Sequence, residues 1–105
     1  MPVPPRSVRA IARRALEDRK RYGRGGTDVG VARARDLARG ANIPEATLRR
    51  MVSFFARHGA ADSSSKDKLS DRTSAASIAF RLWGGRAGEA WAKSALRRIE
   101  RAKAG

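Results

Sequence analysis

The chain has 105 residues, enough for one domain with a modest core. It carries 24 Lys plus Arg against 10 Asp plus Glu, a formal net charge of +14, and no cysteine. The missing cysteine excludes disulfides, thiolate metal sites and a cysteine nucleophile. No apolar run approaches the roughly 20 residues that span a bilayer. Nineteen of the basic residues are arginine, whose planar fork fits phosphates and guanine edges. So dense a charge calls for a polyanion: nucleic acid first, then an acidic protein surface or an anionic membrane. An arginine-favouring genome is the bland alternative.

Residues 1–6 form a Pro-rich lead. The opening MPVPPRSVRAIARRAL is acid-free, loosely like a transit peptide, but Glu17 and Asp18 follow and the helical pattern runs on. Ser7 is the expected cap of a first helix over about 8–21. Val8, Ile11, Ala12 and Ala15 share its apolar face with Leu16 on the flank, and Arg9, Arg13, Arg14, Lys20 and Arg21 lie away from it. RYGRGGT, residues 21–27, ends that helix, and Thr27 is a natural cap for a second helix over about 28–39. There Val29, Ala32 and Leu37 are expected inside, and Arg33, Arg35 and Arg39 outside. Gly40 to Asn42 make a turn, and Pro44 opens a third helix over about 44–58, with Leu48, Met51, Val52 and Phe55 as its stripe and Gly59 as its stop.

Residues 59–73 read as a polar, Ser-rich surface loop. A fourth helix follows over about 74–83, with Ala75, Ile78, Ala79 and Leu82 in register. WGGRAGEAW makes a Gly-Gly corner, and the last helix, about 87–103, has Ala92, Ala95, Leu96 and Ile99 inside. Its Lys93, Arg97 and Arg101 form a row at i, i+4 and i+8, a repulsion that a bound polyanion relieves. No segment alternates with period two. The expectation is one all-α domain, 1–105, of about five helices, with a helix-turn-helix-like corner at residues 28–58.

That corner has two readings. As a DNA-reading unit, Ala38 is the small contact residue, Asn42 the left-handed turn residue, Ile43 the apolar residue after the turn, and Leu48 and Met51 the anchors. The opposite face then carries Ala46, Arg49, Arg50, Ser53 and Arg57 toward a groove. As a plain αα-corner, the same residues only turn the chain. RYGRGGT lacks the Lys-Ser/Thr ending of a nucleotide-binding loop. Either Arg24, the Gly25 and Gly26 amides and Thr27 hold one backbone phosphate, or the glycines only turn the chain.

The six aromatics, Tyr22, Phe54, Phe55, Phe80, Trp83 and Trp91, suit base stacking in principle but are read as core, with Trp83 and Trp91 packed together or in one cavity. His58 stands alone at a helix end. Asp62, Asp67 and Asp71 match no calcium-loop spacing, and Glu17 and Asp18 point different ways. No acid–base pair, metal cluster or cofactor motif emerges, so no enzymatic activity and no cofactor are expected.

RYGRGGTDVGVARARDL, PEATLRRMVSFFARH and IAFRLWGGRAGEAWAK together resemble a family of short domains encoded by tailed bacteriophages. These occur alone or attached to head-morphogenesis and protease proteins. The resemblance covers about residues 8–93 and implies a place in the host bacterial cytoplasm or the virion. Two departures stand out. Arg86 follows the Trp-Gly-Gly step where the family tends to be acidic, and Arg72, Thr73 and Ser74 stand where it tends to have a Pro-containing turn. Any role of an acidic residue at that step is in doubt for this chain.

The sequence thus points to a small basic phage protein that binds nucleic acid, DNA rather than RNA, mainly by arginine–phosphate contacts. The residues expected to carry it are Arg24, Thr27, Arg49, Arg50, Ser53, Arg57, Arg97 and Arg101. The alternatives are a head or assembly protein and an inhibitor covering an acidic host protein. No membrane partner is expected.

Overall fold

A computed structural model describes residues 2–58 and 71–104. Gly59 and most of the Ser-rich segment, with Asp62 and Asp67, lie outside the described residues. The described chain is all helical, in five elements: α1 (Arg6–Tyr22), α2 (Asp28–Ala38), α3 (Glu45–His58), α4 (Ala75–Leu82) and α5 (Gly85–Ala104).

Each start has a local cause. α1 begins at Arg6, and its cap falls two residues before the expected one. Pro5 is its N-cap, its carbonyl accepting from the Arg9 amide at 3.0 Å, and Ser7 is already helical. Proline has a fixed φ suited to this boundary and no N–H to strand there. Thr27 caps α2 as its position suggests, its hydroxyl accepting from the Gly30 amide at 3.3 Å. The Pro44 carbonyl accepts the Thr47 and Leu48 amides, both at 3.0 Å, and opens α3. Ser74 caps α4 through the Ser77 amide at 3.0 Å. α5 starts at Gly85, two residues earlier than the spacing suggests, because the Gly84 carbonyl already accepts from Gly88 at 2.9 Å.

α1 packs on α2, α4 and α5, and α3 packs on α5. Val8, Ala12 and Ala15 of α1 meet Leu37, Ile43, Leu48, Met51, Phe55, Ile78 and Leu82 in one core. The small alanines let α1 approach several helices at once. The lead belongs to the fold: Pro4 is fully buried, and the Pro2 carbonyl accepts from the Ile43 amide at 2.9 Å.

Three inward assignments differ from expectation. In α2 the buried residues are Gly30, Arg33, Ala34 and Leu37, while Val29 and Ala32 are exposed. Arg33 goes inside because Trp83 receives it: the guanidinium lies 5.7 Å from the indole ring, which stacks on Phe54 at 4.6 Å. Trp83 therefore pairs with Phe54 rather than with Trp91, which is half-buried. Phe54, Phe55, Phe80 and Trp83 are core, as expected of aromatics at helical spacing. In the α2–α3 connection the left-handed residue is Gly40, at φ 69°, and Asn42 has negative φ. Glycine takes that conformation without a Cβ penalty, so the asparagine is not needed for it.

Candidate nucleic-acid interface

The helix–corner–helix succession at 28–58 is present, but its two helices rest on different neighbours. α2 lies on α1 and α4, α3 lies on α5, and no extensive α2–α3 packing occurs among the described residues. A DNA-reading helix-turn-helix holds its two helices directly against each other. Here α3 is presented by α5 instead.

α3 and α5 run antiparallel. Lys103 Nζ lies 2.6 Å from Glu45 Oε1, and Arg49 Nη2 lies 3.7 Å from Glu100 Oε2. With equal rise along both helices, Arg97 comes level with residues 51–52, just before Ser53. Leu48, Met51 and Phe55 point into the core, and Arg50, Ser53 and Arg57 are exposed on one flank of α3 at i, i+3 and i+7. Arg57 reaches back to the Ser53 hydroxyl at 3.4 Å. Arg50 has no polar partner among the described residues, and neither have the exposed Arg97 and Arg101.

Arg49 stands differently. It donates twice to Glu45, at 3.1 and 2.9 Å, besides its approach to Glu100. Hydrogen bonds from Lys103 and Arg49 hold Glu45 below the usual carboxylate range. Along this seam Arg49 and Lys103 face Glu45 and Glu100, so the charges balance and project little field. Lys93 is likewise paired, with Glu89 at 3.0 Å, and Arg86 shares that carboxylate at 3.4 Å.

The glycine loop is occupied from within. Arg24 Nε donates to the Thr73 carbonyl at 2.8 Å and Arg19 Nε to that of Gly25 at 2.9 Å, while Thr27 is engaged as the α2 cap. A Cβ on Gly25 would lie 2.7 Å from Ile78 Cβ, and one on Gly26 would lie 2.6 Å from Leu82 Cδ1. The glycines turn the chain and let it pass close over α4. These facts favour the turn reading over the phosphate reading. Arg24 lies on the surface as expected, but its guanidinium holds residues 71–73 in place.

Those residues also close over Asp18, which is 3% exposed. Arg72 donates to its carboxylate at 3.3 and 3.2 Å, and Arg81 at 2.8 Å. Arg81 also donates to Ser77 Oγ at 3.2 Å and the Arg72 carbonyl at 2.7 Å. Burial alone pushes Asp18 up; the hydrogen bonds and charges of Arg72 and Arg81 outweigh it and hold the carboxyl below its ordinary value. The helical phase of Asp18 sets it apart from Glu17, but nothing nearby in sequence shows what receives it.

A second cationic surface among the described residues is one that the expected site residues leave out. Arg6, Arg13, Arg14, Lys20 and Arg21 are all exposed on the outward side of α1, interrupted only by the carboxylate of Glu17. None has an acidic partner among the described residues; Arg21 lies 5.6 Å over the Tyr22 ring. The signal was in the sequence: these positions fall opposite Val8, Ala12 and Ala15 on the helical wheel.

Among the described residues no cluster of His, Asp and Glu could hold a metal ion, and no helix is long and apolar enough to cross a membrane. Comparisons of the chain with protein-family models, with curated proteins and with solved structures find no match.

Proposed function

We propose that this chain is a small, non-catalytic phage protein that binds nucleic acid, duplex DNA foremost, through arginine–phosphate contacts. The observation that carries this reading is that four of its outward arginines, on two adjoining helices, lack counter-ions. Arg50 and Arg57 on α3, and Arg97 and Arg101 on α5, are exposed and have no acidic partner among the described residues. Charges without a partner of their own lose little on binding a phosphate, and they release the counter-ions condensed on the polymer. Ser53 adds a hydroxyl between the α3 arginines. Positions 46, 49, 50, 53 and 57 include no Asn or Gln to read adenine, so the contacts are to the backbone and sequence preference is weak.

The test is a salt titration of binding to random-sequence duplex DNA, single strands and duplex RNA. Four phosphates held by the four α3 and α5 arginines give a log–log slope of about −4 on duplex DNA, steeper as α1 takes part. Flat, weak binding to all three at physiological salt would sink the proposal. The +14 charge would then belong to assembly on a phage head or to an acidic host protein.

A further inference from the structure

The free cations of α1 and those of α3 stand on helices that make no extensive contact with each other. α1 and α3 turn their apolar residues to one core, Val8, Ala12 and Ala15 from one side and Leu48, Met51 and Phe55 from another. Their outward faces therefore look away from that core in different directions. The two helices do not lie side by side; each packs on α5. On α3 and α5 the exposed cations without an acidic partner are Arg50, Arg57, Arg97, Arg98 and Arg101; on α1 they are Arg6, Arg13, Arg14, Lys20 and Arg21.

Duplex DNA stays straight over about 500 Å, whereas the domain measures 46 × 29 × 21 Å. A straight duplex on one face leaves the other uncovered, and folding it round so small a body requires a sharp bend. The uncovered face keeps its full charge and attracts a second polyanion. We infer that a single copy of this domain bridges two duplex segments, one on the α3/α5 face and one on the outward side of α1. This inference rests on the nucleic-acid reading above and adds the α1 face as a second binding site. Each face makes several phosphate contacts, so bridging carries the salt dependence of both and weakens more steeply than attachment to one duplex.

The test uses random-sequence duplex DNA fixed on beads and a second, fluorescent duplex in solution. Three full-length proteins are compared: wild type, Arg13→Glu with Arg14→Glu, and Arg50→Glu with Arg57→Glu. All four positions are exposed, and thermal melts verify that the variants fold. Each protein is used at a concentration that saturates the bead-bound duplex. The wild type is expected to capture the free duplex. Each variant is expected to bind the bead duplex yet capture at least about tenfold less, and an equal mixture of the two variants is expected to do no better, because no chain in it has both faces.

Capture retained by either variant alone overturns the inference, since bridging would then come from self-association behind one DNA-binding face. A wild type that binds duplex but captures nothing also overturns it and leaves the proposed function standing. A wild type that binds no nucleic acid removes both.

Discussion

Glu17 and Asp18 are neighbours on α1, and their surroundings show the two uses this protein makes of arginine. Around Asp18, Arg72 and Arg81 are drawn in as structural cations, and Arg24 holds the same segment through Thr73. Around Glu17, Arg13, Arg14, Lys20 and Arg21 point to solvent with no acidic partner among the described residues. One region consumes its arginines to fasten residues 71–74 onto α1. The other leaves them available. A net charge of +14 therefore overstates in one place, and understates in another, what a polyanion would meet.

Both regions stand on the same core, so the largest effect comes from breaking that. Leu48 is fully buried among Phe55, Met51 and their neighbours. Leu48→Asp strands a carboxylate there and costs about 4 kcal/mol or more, a large share of what holds a domain of this size. Circular dichroism should show an unfolded or barely folded chain. A cooperative melt near that of the wild type would mean that the α3 register is wrong.

The clamp on Asp18 comes next. Asp18→Asn keeps the shape and removes the charge that Arg72 and Arg81 share, at a cost of about 2 kcal/mol near neutral pH. The folded carboxyl titrates below its ordinary value. Its contribution is thus complete above the unfolded pKa, about 3.9, and is lost as pH falls through the lower folded value. Denaturant melts of wild type and variant should differ at pH 7 and converge toward pH 2. An equal gap at both ends would show that packing, rather than the ionised pair, is what the substitution damages.

This pair also shows why some of the molecule was legible in sequence and some was not. The five helices, the Thr27 cap, the Pro44 start and the Leu48–Met51–Phe55 stripe depend on residues within a few positions of one another, and a period of 3.6 or a capping hydroxyl reveals them. The clamp joins residues 54 and 63 positions apart, and Arg24 meets Thr73 across 49. No local pattern encodes such partners. Arg33 is the same lesson in a helix: an arginine on an alanine-rich element reads as outward until Trp83, fifty positions on, supplies a face to cover it. The candidate site split accordingly. Arg50, Arg57, Arg97 and Arg101 have no acidic partner, as their helical phase implies, and Thr27 is taken up as the local cap of α2, whereas Arg24 meets Thr73 and Arg49 meets Glu100 through contacts that only the fold provides.

The smallest effect belongs to Arg49, and it separates available charge from counted charge. Beside Arg50 in sequence, it faces Glu45 and Glu100 across the α3–α5 seam, where Lys103 completes the balance. Exposed pairs of this kind contribute little to stability, so Arg49→Ala should leave the melting temperature within about 2 °C. Duplex affinity should fall less than about threefold, because the seam loses one cation from a balanced set rather than a free phosphate contact. Arg50→Ala removes an unpaired cation and should lower the salt slope by about one phosphate. Parallel titrations of the two single variants test this directly. Equal losses would mean that a phosphate displaces Glu45 from Arg49 at no cost, and that the ion pairs around α3 do not limit what the helix can bind.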